Sequence, residues 1–328
     1  SPLMHAAGMW TAFAALCAGL PVVLYDDRKK LDVRSVWETA ERERVGMMTM
    51  VGDAYAGPLI AELRARSYDL SSLNAIGTGG AATNAKYKRA LMECLPHITI
   101  IEGYGSSESG NMAFGHSRNG NASETFEPRV GATVVSADRS RFLQPGEQEI
   151  GWAARTGRIP LGYFNDAEAT RRTFPEIDGQ RVVIPGDRAS VEQDGTIRLF
   201  GRDSLVVNTG GEKVFVEEVE EVLRAHPGVA DALVVGRPSE RWGQEVVALI
   251  APHPGAELAG GEHALYTFCT LQLAHFKAPK AFIFVEQIQR LGNGKPNYRW
   301  AREQATQQVT APALVPSDPE GSHEHQSD

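Results

Sequence analysis

The stretch LNAIGTGGAATNAKYKRALMECLPHITIIEGYGSSESG, residues 73–110, decides the fold class of this chain. It opens with an apolar run that ends in a glycine turn, continues as an amphipathic helix and returns to a second apolar run, 97–105. This order is typical of two parallel strands joined by a helix. Open sheets of this kind bind ligands at the carboxyl ends of their strands, where both glycine-rich turns, 77–82 and 102–110, lie.

The segment before this unit repeats the same alternation. PVVLYD (21–26) and VGMMTMV (45–51) are predicted strands, and VRSVWETAERER (33–44) is the predicted helix between them. Because parallel strands need crossover helices, residues 1–126 are predicted to form the α/β part of a large domain with a layered parallel sheet.

The most apolar stretch, residues 6–25, resembles a membrane span or a signal peptide in composition alone. However, Gly19 and Pro21 interrupt it after about three helical turns, and no basic region precedes it. We therefore interpret it as a buried helix followed by a buried strand. The sequence predicts no transmembrane segment.

The rest of the chain is predicted to form two further parts and a tail. Residues 127–202 contain short strands separated by proline and glycine, with Asp194-Gly195 as a hairpin turn, and predict a small β-rich subdomain. Residues 203–306 predict a compact α+β domain whose last helix has Pro296 at its first position. Residues 307–328 are rich in Pro, Ser and Gln and are predicted to be disordered.

Composition excludes several classes of protein. The net charge of -8 is spread over 328 residues without long single-sign runs, which argues against a dedicated nucleic-acid surface. The chain has an odd number of cysteines, and they lie far apart in the sequence, at Cys17, Cys94 and Cys269. Neither a disulfide framework nor a zinc site is therefore predicted. We expect a cytoplasmic protein, because a reducing compartment suits such cysteines.

Three stretches are candidates for chemistry, and each has a plain structural alternative. GTGGAA (77–82) can accept anionic or planar ligands through backbone N–H groups, or it can serve close helix–sheet packing. EGYGSSESG (102–110) offers hydroxyls and a carboxylate suited to phosphate and a hard cation, or it is a polar turn. Residues 184–220 contain an aspartate in a turn, an Arg-Asp pair and a Gly-Gly loop that opens a helix. The structural alternatives are, in the same order, a capped turn, a surface ion pair and the entry to a helix.

Taken in order, these stretches resemble the adenylate-forming superfamily, which includes acyl-CoA synthetases, adenylation domains and luciferases. The matching motifs are PLMH (2–5), GYGSSE (103–108), PGD (185–187), GRDSLVVNTGGEKV (201–214) and GNGKPNYR (292–299). Three segments are most similar in sequence to those of bacterial fatty-acid and steroid-side-chain acyl-CoA synthetases: GRIPLGYFND, VNTGGEKVFVEEVE and GKPNYRWAREQ. The resemblance spans nearly the whole chain, and it implies that the C-terminal α+β domain is a mobile lid.

The resemblance also implies roles for individual residues. Tyr104 would stack on adenine, Asp187 would accept hydrogen bonds from the ribose hydroxyls with Arg202 nearby, and Glu108 would hold Mg²⁺. The remaining implied roles are nucleotide contact by Gly80, Gly103 and Ser107, acid-substrate contact by His5, Gly79 and Gly105, and a CoA tunnel at Gly210 and Gly211. The cofactors implied are ATP, Mg²⁺ and CoA.

Lys295 has two interpretations. On the residues alone, a lysine after Gly-Asn-Gly is a solvated charge on a turn. The resemblance instead implies a catalytic lysine that bridges the substrate carboxylate and the α-phosphate, on a flexible arm.

Two departures from the family pattern stand out. The family's phosphate-binding loop, rich in Gly, Ser and Thr, is absent from this chain. Its hinge position, usually Asp or Lys, is Ser204, with Asp203 beside it. Because the chain also begins abruptly, without Met, we expect an upstream N-terminal part of the same protein to complete the site.

The function implied is an ATP-dependent acyl-CoA synthetase that activates a fatty acid or a bulky terpenoid or steroid acid as acyl-AMP. Its partners would be the carboxylic acid, ATP and CoA, and a homodimer is left open. Two alternatives remain at this stage: an acyl-AMP ligase that loads a carrier protein, and a non-catalytic remnant that binds nucleotide or a partner.

Overall fold

A computed structural model describes residues 3, 6–25, 31–81, 83–255, 260–291 and 294–307. The chain divides into two compact units. The first consists of Ser1–Ser204 with Arg290–Pro296, and the second of Leu205–Gln289 with Asn297–Asp328. Each unit has its own sheet and its own apolar core.

The first unit is built on a nine-stranded sheet with the order β1-β2-β3-β4-β5-β11-β10-β7-β6. Strands β1 to β3 are parallel, and the other pairings are antiparallel. The strands are β1 Met47–Met50, β2 Ala75–Gly79, β3 Thr99–Ser106, β4 Gly110–Ser117, β5 Thr125–Pro128, β6 Ala132–Val135, β7 Gly151–Arg155, β10 Asp187–Val191 and β11 Ile197–Arg202, with a separate hairpin of β8 Glu176–Ile177 and β9 Gln180–Arg181. The α/β fold class and the parallel sheet are confirmed, and one sheet runs through the predicted α/β and β-rich stretches.

The described residues of this unit form the helices α1 Ala6–Cys17, α2 Val33–Arg42, α3 Gly52–Ala65, α4 Ala85–Cys94 and α5 Ala167–Thr173. Side chains of Asp32 and Asn84 cap α2 and α4 by accepting backbone N–H groups of their first turns. Helices α2 to α4 share an apolar core with β1 to β3, with fully buried Trp37 at its centre. The Trp37 indole donates a hydrogen bond to the Leu59 carbonyl at 3.1 Å, which joins α2 to α3.

The interpretation of the apolar N-terminal stretch is only partly right. Helix α1 forms, but only Gly8 in it is buried, and Phe13 and Leu16 are exposed. The predicted strand at 21–26 is wrong over its described part, since Pro21 to Tyr25 form none. A strand needs a partner for its backbone groups, and no described residue pairs with this segment.

The predicted hairpin at Asp194-Gly195 is confirmed and places two candidate site residues. Gly195 has a φ of 83°, which suits glycine, and the turn joins β10 to β11. The register of this pair sets Asp187 opposite Arg202.

The second unit is a sheet with the order β13-β12-β15-β14, and β16 pairs with β15 in parallel. Its strands are β12 Val207–Thr209, β13 Glu212–Val214, β14 Val229–Ser239, β15 Gly243–Pro252 and β16 Ala281–Phe284, and its helices are α6 Val216–Ala225, α7 Gly261–Thr270 and α8 Tyr298–Gln307. Helices α6 and α7 contribute to one apolar cluster and α8 to another. Side chains of β14 and β15 alternate between the two faces of the sheet, so one face packs in the first cluster and the other face in the second.

The predicted start of the last helix is wrong. Pro296 forms a β-bridge with Arg290, and α8 begins at Tyr298. Asn297 caps the helix, because its side-chain oxygen accepts the Trp300 N–H at 3.1 Å. Within the described part of the chain, no helix is both long and apolar enough to cross a bilayer.

Core packing around β2 gives a direct test of this fold. The Leu73 side chain is fully buried, whereas Leu161 is 93% exposed. Leu73→Ala should lower the free energy of unfolding by about 2–5 kcal/mol, because it leaves a cavity. Leu161→Ala, the same change on the surface, should alter it by no more than about 0.5 kcal/mol. Urea unfolding of both variants measures this, and equal losses would contradict the packing described here.

Candidate functional site

Tyr104, Asp187 and Arg202 come together in the first unit. The Tyr104 hydroxyl donates a hydrogen bond to Asp187 Oδ2 at 2.9 Å, and Arg202 Nε lies 3.5 Å from Asp187 Oδ1. Burial, followed by the charge of Asp187, raises the pKa of Tyr104 well above its usual value. The tyrosine therefore stays neutral and able to donate. This arrangement presents an aromatic ring beside a carboxylate that has one cationic neighbour.

A β-bulge determines the position of the Tyr104 ring. Tyr104 pairs with Ala113 and Gly105 pairs with Asn111, so Met112 is an extra residue on β4. The Met112 side chain is fully buried in a cluster against which Tyr104 packs, and its carbonyl accepts the Arg129 N–H at 2.8 Å. The extra residue thus supports Tyr104 from within the core.

The glycines of this region divide into two kinds. A Cβ on Gly79 would lie 2.9 Å from the Gly103 carbonyl oxygen, and one on Gly105 would overlap the Gly110 backbone. These two glycines are required for close approach between neighbouring strands. Gly80 differs, because its φ is +78° and no heavy atom of the described residues lies within 4 Å of a Cβ placed there. It leaves open space at the carboxyl end of β2.

Glu108 lies in the turn between β3 and β4, and the predicted phosphate contact Ser107 is exposed in the same turn. The Tyr163 hydroxyl donates a hydrogen bond to Glu108 Oε1 at 2.8 Å. Burial raises the pKa of Glu108, but hydrogen bonds, chiefly from Tyr163, outweigh it and hold this pKa below its usual value. Reciprocal bonds between the Ser106 and Ser109 N–H groups and hydroxyls fix the turn.

Among the described residues, no group of three His, Cys, Asp or Glu side chains converges on a common point as a metal site would. Glu108 nevertheless fits Mg²⁺, which is usually held by one or two carboxylates together with substrate phosphates. Tyr163 donates its hydrogen bond to Oε1 of Glu108, so the Oε2 atom is not bonded to Tyr163.

The sequence analysis did not predict the buried ion pair between Lys88 and Glu102 in the first unit. Lys88 Nζ donates to Glu102 Oε2 at 2.9 Å and to the Ser123 carbonyl at 2.7 Å, and both charged side chains are buried. Glu102 Oε1 also accepts the Thr83 N–H at 3.2 Å, which ties the loop after β2 to β3. The signal was present in the alternation of β3, where Glu102 falls on the same face as buried Ile100.

Gly210 and Gly211 belong to the second unit, in the turn between β12 and β13. Both have positive φ, 58° and 89°, and the Gly210 N–H donates to the Trp242 carbonyl at 2.9 Å. A Cβ on Gly210 would lie 3.0 Å from the Trp242 ring. Turn geometry and the neighbouring indole therefore account for Gly210 without a ligand.

Lys295 lies in a closed loop, and its side chain is exposed. The Leu291 N–H donates to the Lys295 carbonyl at 2.8 Å, and the Gly294 N–H donates to the Leu291 carbonyl at 2.8 Å. Gly294 belongs to the first unit and lies beside the Tyr55 ring. Gly292 and Asn293 lie outside the described residues, as does His5, the predicted acid-site residue. The roles of Lys295, His5 and Ser204 stay predictions.

Sequence comparison relates two parts of the chain to known families. Residues 1–149 match the profile described as AMP-binding enzyme, and residues 218–295 match that of the AMP-binding enzyme C-terminal domain. The resemblance predicted from the ordered motifs is confirmed.

Individual relatives agree with the predicted subgroup. The medium-chain acyl-CoA ligase Mig of Mycobacterium avium is 46% identical over 305 residues, which cover 93% of this chain and 55% of Mig. A medium/long-chain-fatty-acid–CoA/3-oxocholest-4-en-26-oate–CoA ligase of Mycobacterium tuberculosis (strain CDC 1551 / Oshkosh) is 39% identical over 309 residues, which cover 92% of this chain and 55% of that protein. The chain thus spans about 55% of the length of these relatives.

Solved structures share the fold. The amide bond synthetase McbA from Marinactinospora thermotolerans superposes with a TM-score of 0.79 at 25% sequence identity. The match covers 91% of this chain and 59% of McbA.

The Tyr163–Glu108 hydrogen bond predicts a pH-dependent effect. Tyr163→Phe should raise the pKa of Glu108, measured by NMR titration of its carboxyl carbon, because the donor that stabilises the carboxylate is lost. A carboxylate whose pKa is depressed by folding stabilises the protein above its unfolded pKa, and this stabilisation disappears as pH falls through the folded value. The variant should therefore be destabilised at neutral pH and less so in strong acid.

Tyr68→Phe provides the matched control. The Tyr68 hydroxyl donates to Glu62 at 2.7 Å, so the same atom is removed from a comparable hydrogen bond elsewhere in the first unit. This control should leave the pKa of Glu108 unchanged. An unchanged pKa of Glu108 in Tyr163→Phe itself would show that the hydrogen bond does not form in solution.

Proposed function

Because this chain belongs to the AMP-binding enzyme family, we propose that it forms part of an ATP-dependent, AMP-forming acyl-CoA synthetase. The proposed substrates are ATP with Mg²⁺, CoA and a carboxylic acid of the fatty-acid or bulky steroid type. The acid class is supported by the names of the two mycobacterial relatives at 46% and 39% identity. A reducing, cytoplasmic location is proposed with it, since Cys17, Cys94 and Cys269 are separate thiols.

The observation that carries the proposal is the Tyr104–Asp187–Arg202 arrangement. Asp187 accepts a hydrogen bond from Tyr104, lies beside the Arg202 cation, and offers the carboxylate that the two hydroxyls of a ribose require. The Tyr104 ring provides a flat aromatic surface on which an adenine can stack. The space beside Gly80 allows a ligand to approach the backbone at the carboxyl end of β2. Together these groups suit an adenosine.

The first proposed reaction forms an acyl-adenylate. A carboxylate oxygen of the acid attacks the α-phosphorus of ATP, an O–P bond forms, and the bond from that phosphorus to the bridging oxygen breaks with release of pyrophosphate. Lys295 would lie against the carboxylate and the α-phosphate, where its charge stabilises the negative charge of the transition state. Mg²⁺ held by Glu108 would supply further positive charge beside the phosphates.

The second proposed reaction transfers the acyl group. The CoA sulfur attacks the acyl carbon, the bond from that carbon to the AMP oxygen breaks, and the thiol proton passes to water. We propose that Lys295 leaves the site before this step, that the chain turns at Asp203 or Ser204, and that the Gly210–Gly211 turn then admits the thiol. Conformational gating of this kind lets two reactions share one site.

A panel of carboxylic acids tests the activity. The protein used should carry this chain together with the part of its relatives that the match does not cover, since the chain spans about 55% of their length. Medium-chain, long-chain and steroid acids should release pyrophosphate with ATP and then yield acyl-CoA with CoA. Transfer to a carrier protein in place of CoA would favour an acyl-AMP ligase, and no pyrophosphate with any acid would overturn the proposed activity.

Replacement of Lys295 tests its role. Lys295→Ala should slow pyrophosphate release by about 10²- to 10³-fold, as expected when one charge-stabilising donor is lost from a transition state. Thioester formation from supplied acyl-AMP should be largely spared. Arg302→Ala, which removes an exposed cation from α8, is the control and should affect neither step. Equal loss of both steps in Lys295→Ala would contradict the role proposed for the lysine.

A further inference from the structure

The side chain of Arg155 contacts the turn that joins β3 to β4 and carries Glu108. Its Nη1 donates to the Ser109 carbonyl at 2.6 Å and to the Asn111 carbonyl at 3.2 Å. These carbonyls lie on either side of Gly110, the first residue of β4. All of these residues belong to the first unit. The guanidinium therefore holds the backbone at the point where the turn ends and β4 begins.

Gly110 allows this contact to form. Its φ is +68°, a conformation that favours glycine, and a Cβ placed on it would lie 3.1 Å from Arg155 Nη1. Any larger residue would strain the backbone there and crowd the guanidinium. The turn thus has a glycine at the position where the arginine approaches most closely.

Strand β7 holds the other end of the contact in place. Arg155 is its last residue and exchanges two backbone hydrogen bonds with Val183, at 3.0 and 2.8 Å. Ala153 and Ala154, which precede it, are fully buried. In the sheet, β5, β11 and β10 lie between β4 and β7, so strand pairing does not join the turn to Arg155 directly. The arginine side chain supplies that link.

Arg155 is only partly paired. Its hydrogen bonds go to neutral carbonyls, and its buried Nε has no hydrogen-bond partner among the residues that the structure describes. A cation that is partly withdrawn from water without full pairing costs free energy. An apolar side chain of similar volume would contribute more to stability at this position. The presence of a guanidinium therefore points to a role other than packing.

A second contact holds the side chain that the turn carries. Tyr163, which follows β7 in the chain, donates to Glu108 Oε1 at 2.8 Å. The segment that leaves β7 thus contacts the turn twice, since Arg155 binds its backbone and Tyr163 binds its carboxylate. Together these bonds fix both the position of the turn and the direction of the Glu108 side chain.

We propose that Arg155 is a positioning residue for Glu108. The proposal rests on the function proposed above, in which Glu108 holds Mg²⁺ during adenylate formation. Arg155 touches neither substrate nor reacting atoms in that scheme. Without its guanidinium the turn would occupy the required position for a smaller fraction of the time, and the apparent affinity for the metal would fall by that fraction.

Hydrogen exchange tests the contact and needs no activity. The amides of Ser106 and Ser109 are hydrogen-bonded within the turn. In Arg155→Met they should exchange about tenfold faster than in the unchanged protein, because hydrogen bonds from a charged donor are lost. Amides of residues 151–154 in β7 should change much less. Arg155→Lys keeps a cationic donor and should recover most of the protection.

Arg64→Met is the matched control for this experiment. The Arg64 guanidinium forms an exposed pair with Glu93 at 3.3 Å, so the same atoms are removed elsewhere in the first unit. Exchange at Ser106 and Ser109 should not change in this variant. Unchanged exchange in Arg155→Met would overturn the positioning role, and so would an equal loss of protection in β7, which would indicate general destabilisation.

The Mg²⁺ requirement of pyrophosphate release tests the consequence for the proposed function. The protein used carries this chain together with the part of its relatives that the match does not cover. At saturating ATP, half-maximal release in Arg155→Met should need about tenfold more Mg²⁺, and high Mg²⁺ should restore most of the rate. Arg155→Lys should need less Mg²⁺ than Arg155→Met, and Arg64→Met should match the unchanged protein.

The outcomes separate the positioning role from the proposed activity. An unchanged Mg²⁺ requirement in Arg155→Met, or a slower rate that no Mg²⁺ concentration restores, would overturn the positioning role. Absence of pyrophosphate release by the unchanged protein would instead contradict the proposed function. In that case hydrogen exchange at Ser106 and Ser109 still decides whether Arg155 holds the turn.

Discussion

The pairing of β5 with β11 is the constraint on which the site in the first unit depends. Ile197 pairs with Phe126 and Arg198 with Thr125, and these short contacts join the parallel strands to the antiparallel ones. They bring Asp187 within hydrogen-bond reach of Tyr104, which lies 83 positions earlier in the chain. Contacts of such long sequence separation carry a large loop-closure cost. The site therefore exists only when the whole sheet has formed.

Among the described residues, each unit has a buried carboxylate that holds a neighbouring backbone segment. Glu102 holds the loop after β2 through the Thr83 N–H, and Glu220 holds the start of α8 through Tyr298. Both carboxylates also accept a cation and so are not left as isolated charges. Such pairs contribute little net stability relative to apolar packing, but loss of one partner is costly. Their value lies in fixing the direction of the attached backbone.

The sequence predicted the fold class, the Asp194-Gly195 hairpin and the family, because each depends on local order along the chain. It failed where the outcome depends on neighbours in space. Burial of α1 and a strand at 21–26 were expected from apolar composition, yet only Gly8 of α1 is buried and Pro21 to Tyr25 form no strand. Pro296 suits the first position of a helix, but its bridge to Arg290 moves that position to Tyr298.

The candidate site shows the same division. Tyr104, Asp187 and Arg202 were assigned through ordered motifs, and their contact could not be derived from spacing, because the strand order of the sheet is not readable from sequence. Tyr163 was missed as a partner of Glu108, since 55 positions separate them and a tyrosine in a loop carries no periodic signal. Gly79 had two interpretations, and the close approach of Gly103 accounts for it as packing.

The extra residue on β4 also affects how this strand can vary in length. Because Met112 has no partner on β3, its removal would make the Gly105–Asn111 and Tyr104–Ala113 pairs consecutive, and the later residues of β4 would keep their partners and their faces. The deletion would instead take a fully buried side chain out of the cluster against which Tyr104 packs. A substitution of similar volume at Met112 preserves that packing. The register of β4 is therefore less sensitive to loss of this residue than the support of Tyr104 is.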